Sequence, residues 1–221
     1  MKLLALETAN EQCSVSIVDE TQELFFQLDA RAKAQTQTIL PMIDQAFTQL
    51  GLSASELTAI AFSRGPGSFS GVRINAAVTQ ALAWANDLPV VPVSSLQALA
   101  QAAYRMLGLK SVTAVLDARM QEVYIASFEL DQHGIMRAVD EEQLLNYSNA
   151  TQVVQFEIVG SGSALIQPEQ IQYKDLSATA QDIATIARLN VQQQKWVSAE
   201  QALPVYLRDN AWKKIPEQGK S

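Results

Sequence analysis

Apolar segments in this chain follow one order twice, and that repetition limits the folds open to it. Leu3 to Leu6 reads as a short buried strand, and Cys13 to Val18 alternates apolar and polar residues. Leu24 to Leu28 supplies a third strand after a turn at Asp19 and Glu20. A helix is expected from about Ala34, with Ile39, Leu40, Ile43, Ala46, Phe47 and Leu50 at three- and four-residue spacing; Pro41 weakens its first turn and Gly51 ends it. Ser53 and Glu56 have capping-box spacing, and Ala59 to Ser63 forms a strand ending at Gly65, Pro66 and Gly67. A long helix from Ser68 or Phe69 to Ala85, a strand at Pro89 to Val93 and a helix from Ser94 or Ser95 to Gly108 complete a β-β-β-α-β-α-β-α series.

The order restarts at Ser111, with strands at Val112 to Leu116 and Val123 to Leu130 and a third after the turn at Asp131 to Gly134. A strand at Phe156 to Val159 and a helix from Ala178 to about Gln194 follow. The second copy is shorter and irregular around residues 146–150 and 167–175. An α/β chain of two similar lobes, 1–108 and a reduced 109–221, is the expectation. Three antiparallel strands followed by alternating helices and strands, occurring twice, resembles the actin-like ATPase (ribonuclease H-like) fold. A doubly wound dinucleotide-binding domain would want a glycine-rich loop after its first strand, where Glu7, Thr8, Ala9 and Asn10 stand instead.

Composition removes several functions. A net charge of −7 repels a phosphate backbone, so any RNA should be held mainly by another subunit. The single cysteine, Cys13, forms no internal disulfide or redox pair and reads as a buried strand residue. The single histidine, His133, lies in a turn, which leaves no imidazole for a metal cluster or a serine or cysteine triad; no metal site is expected. No apolar stretch suits a signal peptide or a membrane span, and a cytoplasmic location is expected.

In the actin-like fold a phosphate hairpin follows the first strand of each lobe, which places Glu7 and Thr8 at one hairpin and Asp117 at the other. Both hairpins keep an acid and lack the glycine that eases phosphate approach. Tight hairpins with locally bonded acids are one reading, and a weak nucleotide cleft joined by a loop at Gly160 and Gly162 is the other; a plain strand-to-helix turn also explains that loop. The turn Arg64, Gly65, Gly67, Ser68, Gly71, Arg73 ends at a helix N-terminus, so it is either an anion site or a purely structural turn. It is not a Walker loop, since no Gly-Lys-Ser or Gly-Lys-Thr follows.

The helix after this turn is apolar nearly all round, with Asn75, Thr79 and Gln80 its polar residues after Arg73. Its own sheet covers one side. The other is closed within the monomer or covered by a partner docking on Ile39, Leu40, Ile43, Phe47, Val72, Val78 and Leu82 as a four-helix arrangement.

The turn R-G-P-G-S-F-S-G-V-R at Arg64 to Arg73, the opening L-A-L-E-T-A at Leu4 to Ala9, D-A-R-M-Q-E-V-Y at Asp117 to Tyr124 and P-V-Y-L-R-D-N-A-W-K-K from Pro204 together resemble the TsaB (YeaZ) family. The resemblance implies a catalytically silent relative of the TsaD carbamoyltransferase. Such a chain binds TsaD and, with the ATPase TsaE, supports threonylcarbamoylation of the adenosine beside the anticodon in tRNAs reading codons that begin with A. It implies pairing through the first two long helices, self-association through that surface when the partner is absent, and tRNA contact through the complex. No resident cofactor is expected, weak ATP or ADP binding at a subunit interface remaining open. Ala32, Lys33, Ala34 and Gln35 replace a family Arg-Glu-His, and Glu7 replaces Asp. The competing classes are an active small-molecule kinase of the actin-like class, a peptidase of the same superfamily and a free-standing RNA-binding module using Arg208, Trp212, Lys213 and Lys214.

Overall fold

Strand β1 (Leu3–Glu7) is buried along its whole length because it runs down the middle of a sheet covered on both faces. The computed structural model describes residues 1–169 and 172–208; Trp212, Lys213, Lys214 and the end of the C-terminal motif lie outside the described residues. Antiparallel β2 (Cys13–Val18) and β3 (Glu23–Asp29) extend the sheet on one side, and parallel β4 (Ala59–Ser63) and β5 (Val90–Val93) on the other, giving the order β3-β2-β1-β4-β5. Alternation along β1 divides the core. Leu4 and Leu6 face α1 (Gln35–Leu50) and α2 (Phe69–Ala85), while Leu3 and Ala5 face α6 (Ala180–Gln192).

Local chemistry sets the helix ends. Gly51 and Gly108 take the left-handed conformation, at φ 62° and 72°, after α1 and α3 (Ser95–Leu107). Ser68 and Ser94 accept backbone N–H groups at the starts of α2 and α3, and Thr179 with Asp182 forms a capping box for α6. Helix α1 continues through Pro41, which lies on the solvent side where water can reach the carbonyl it frees.

The second sheet is built from β6 (Ser111–Arg119), β7 (Glu122–Leu130), β8 (Met136–Ala138), β9 (Gln143–Asn146) and, after α4 (Tyr147–Val153), β10 (Glu157–Val159). Its order is β10-β6-β7-β8, with β9 also on β7. The expected third strand is therefore two short pieces paired to opposite ends of β7, and the stretch read as irregular after Asn146 is a helix capped by the Asn146 side chain. The short α5 (Ser163–Ile166) follows β10.

Two helices cross between the halves. Helix α3 lays Leu96, Leu99, Ala100 and Ala103 on the second sheet, whereas α6 returns Ile183, Ile186 and Ala187 to the first. They are tied by Arg105, whose guanidinium donates to both carboxylate oxygens of buried Asp182 at 2.8 and 3.0 Å. This arrangement of paired sheets is the actin-like fold.

Candidate functional site

The first hairpin, after β1, is closed from above by the glycine turn. The Ser68 N–H donates to the Ala9 carbonyl at 2.7 Å, and the Thr8 hydroxyl donates to the Gly71 carbonyl at 2.8 Å. A Cβ on Gly67 would overlap the Ala9 carbonyl oxygen, and one on Gly71 the Thr8 carbonyl oxygen. The close approach these glycines permit is thus to the chain's own hairpin. The Gly71 N–H goes to the Ser68 hydroxyl at 3.4 Å, so of the N–H groups at the start of α2 those of Ser68 and Gly71 have internal partners. Arg64 also turns away from that helix end, to Glu142 at 3.5 Å, while Gly65 bonds the start of α3 through its carbonyl. These contacts hold the turn on the first hairpin and on the start of α3.

Glu7 is 1% exposed, and burial pushes its carboxyl up to about 7, against the pull of Ser63 and the Ala9 and Asn10 N–H groups. Of these, only the Ala9 N–H reaches full hydrogen-bond geometry, on Oε1, and Oε2 has no partner among the described residues. A raised acid marks a candidate catalytic group where substrate can reach it. Here Thr8 and Ala9 are buried with it.

The second hairpin is open. Arg119 and Met120 at its tip are exposed, and Arg119, Met120 and Gln121 all have positive φ, 61°, 56° and 61°. Asp117 accepts the Arg119 N–H and pairs with its guanidinium at 2.9 Å, while its own N–H donates to the Ser161 hydroxyl at 3.1 Å. The expected loop therefore does meet Asp117. Its glycines serve packing: a Cβ on Gly160 would strike Leu99 and the Val115 carbonyl oxygen, and one on Gly162 the Val115 side chain. Two surface depressions of about 410 and 440 Å³ lie elsewhere, one between β3 and α1, the other around Arg64, Ser94, Arg137 and Glu142. Glu7, Thr8, Asp117, Gly160 and Gly162 line neither.

Helices α1 and α2 lie side by side on the first sheet, and their outer face differs from the one expected. Ile39, Ile43 and Val72 are buried at 1%, 3% and 2%, because the three- and four-residue stripe points at the sheet; they are corrected from interface to core. Phe47, Val78 and Leu82 are half-buried against that core, and Leu40 is 56% exposed. Phe69 and Trp84, at opposite ends of α2, are 51% and 68% exposed, and Ala77 and Ala81 between them are exposed too. Phe69, Trp84 and the alanines between them make the outer face of α2 apolar, whereas on α1 the exposed Leu40 stands among the polar Gln37, Asp44, Gln45 and Thr48.

Residues 29–215 match the family model described as TsaD, tRNA N6-adenosine threonylcarbamoyltransferase. Together with the paired sheets, that match defines the class as an actin-like-fold protein of the TsaD-related group. The chain is 39% identical to the tRNA threonylcarbamoyladenosine biosynthesis protein TsaB of Escherichia coli strain K12, over 98% of this chain and 99% of that one. It is 34% identical to the Haemophilus influenzae protein of the same name, over 98% of each. The solved structure of YeaZ from Pseudomonas aeruginosa superposes with a TM-score of 0.83 at 36% identity, covering 93% of this chain and 99% of that one. The chain belongs to the TsaB (YeaZ) family.

Proposed function

We propose that this chain acts in threonylcarbamoyladenosine modification of tRNA as a non-catalytic subunit. It docks a TsaD-type carbamoyltransferase through the outer face of α1 and α2 and works with a TsaE-type ATPase. The observation that carries this reading is the exposure of Leu40, Phe69 and Trp84 on a helix pair whose inner face already covers its own sheet. A four-helix arrangement with two partner helices would bury them, and the same face serves self-association when the partner is absent. The closed first hairpin supports a silent cleft, since a phosphate would have to displace the glycine turn bonded to Thr8 and Ala9. In this reading residues 1–108 and 109–221 are the two lobes, α3 and α6 each crossing to the other's sheet.

The test is capture of a TsaD-type subunit by Leu40→Glu and Trp84→Glu variants. Both side chains face solvent, so the monomer should fold normally, while a charge left unpaired in an apolar interface costs several kcal/mol. Loss of capture with an unchanged far-ultraviolet circular dichroism spectrum is the expected result; undiminished capture would refute the docking face.

A further inference from the structure

At the start of α2, where the apolar face ends, Arg73 is held by two aromatic rings. Its guanidinium carbon lies 3.6 Å above the Phe69 ring centroid and 5.8 Å from that of Tyr206, and its Nε–H donates to the Tyr206 hydroxyl at 2.9 Å. Phe69 and Tyr206 are themselves in tilted contact, with centroids 6.2 Å apart. Tyr206 reaches this place from the far end of the chain because its neighbours fix it on both sides. The Val205 N–H donates to the Arg64 carbonyl at 2.8 Å, and Arg208 pairs with Glu122 and donates to the Ala118 carbonyl at 3.2 Å. The segment from Leu203 to Arg208 thus straps the glycine turn to the second hairpin, presenting a tyrosine against an exposed arginine.

The cluster is costly to leave as it is. All three side chains are exposed, yet the arginine is stacked and hydrogen-bonded against two rings, and among the described residues it forms no ion pair with a carboxylate. Only Nε is committed to Tyr206, which leaves the two terminal nitrogens of the planar fork for a bidentate acceptor. Tyrosine and arginine are the residue types that concentrate binding energy at interfaces, and a guanidinium fixed in advance by stacking loses little further freedom on binding.

We propose that Arg73, pre-oriented by Phe69 and Tyr206, is the polar anchor of the docking face and receives a carboxylate side chain of the partner subunit. The proposal rests on the docking reading above and adds to it the chemistry required of the partner. Charge complementarity chooses a carboxylate: the anchor is a cation at the edge of an otherwise apolar strip running from Phe69 through Ala77 and Ala81 to Trp84. It also sets the docking register, since a fork admits an acceptor from one direction.

Affinity for a purified TsaD-type subunit is measured for Arg73→Ala, Arg73→Lys and Tyr206→Ala, with Trp84→Glu as the control for the face. Arg73→Ala should weaken binding by about tenfold or more, Arg73→Lys nearly as much because an ammonium cannot make the bidentate pair, and Tyr206→Ala by a smaller factor through lost pre-orientation. Binding by Arg73→Glu should be restored by reversing one Asp or Glu of the partner to Arg. Loss with Trp84→Glu but full affinity for every Arg73 variant would overturn the anchor and leave the docking face intact; no loss in any variant would overturn both. A deficit of Arg73→Ala confined to nucleotide affinity of the assembled complex, or no single reversal that rescues Arg73→Glu, would also overturn it.

Discussion

The two hairpins that occupy corresponding places in the halves have opposite fates. After β1, Glu7, Thr8 and Ala9 are buried beneath a turn whose glycines touch their carbonyl oxygens. After β6, Asp117 and Arg119 pair at the surface and Met120 is 80% exposed. Each keeps one acid, so the acid alone says little about chemistry. What differs is what packs on the hairpin: the start of α2 descends onto the first, whereas among the described residues the second is met by Arg208, at the Ala118 carbonyl and Glu122, and by the Ser161 hydroxyl. The start of α2 has turned the first of the two hairpins into core.

The contrast is broken most directly at Gly71. Gly71→Ala forces a Cβ into the Thr8 carbonyl, which backbone on both sides prevents from yielding, and should cost about 3 kcal/mol in denaturant unfolding. Glu7→Gln comes next and carries a pH signature. The folded Glu7 binds its proton up to about pH 7 while the unfolded side chain releases it near 4.5, so its contribution is fully present below pH 4.5 and is lost as pH rises toward 7. The variant should therefore gain on the wild type across that window, reaching about 3 kcal/mol at pH 8 and close to nothing at pH 4. A gap that stays flat between those pH values would mean Glu7 is ionised in the fold. Asp117→Asn is the smallest perturbation, within about 0.5 kcal/mol, because a surface pair to Arg119 is worth little and an amide oxygen can still accept the Arg119 N–H.

Much of the fold could be read from local chemistry, and the site less well. Gly51, Gly108, Ser68 and Ser94 mark helix ends by conformational freedom or capping, effects that act within a few residues, and α1 ends, α2 begins and α3 begins and ends where those residues predict. The split of the third strand into β8 and β9 had no such marker, since it depends on which part of β7 each piece pairs with. The expected docking set divides for a physical reason: apolar periodicity reports mainly the face turned to the protein's own sheet, so Ile39, Ile43 and Val72 are core, while Leu40 of the same set turns outward with Phe69 and Trp84, which lie outside it. Gly67 and Gly71 are legible only as members of a turn before a helix, because the hairpin they approach lies about sixty positions earlier in the chain. Tyr206 meets Arg73 only through the strap, which leaves no trace in local sequence.

In the proposed function this chain contributes a surface and not a reaction. Reconstituted tRNA threonylcarbamoylation, with a TsaD-type subunit, a TsaE-type ATPase and the Glu7→Gln, Asp117→Asn double variant in place of the wild type, examines it at once. Product formation at the wild-type rate is predicted, with none when the chain is omitted; a collapse of the rate in the presence of a normally assembled complex would show that the hairpin acids take part in the chemistry.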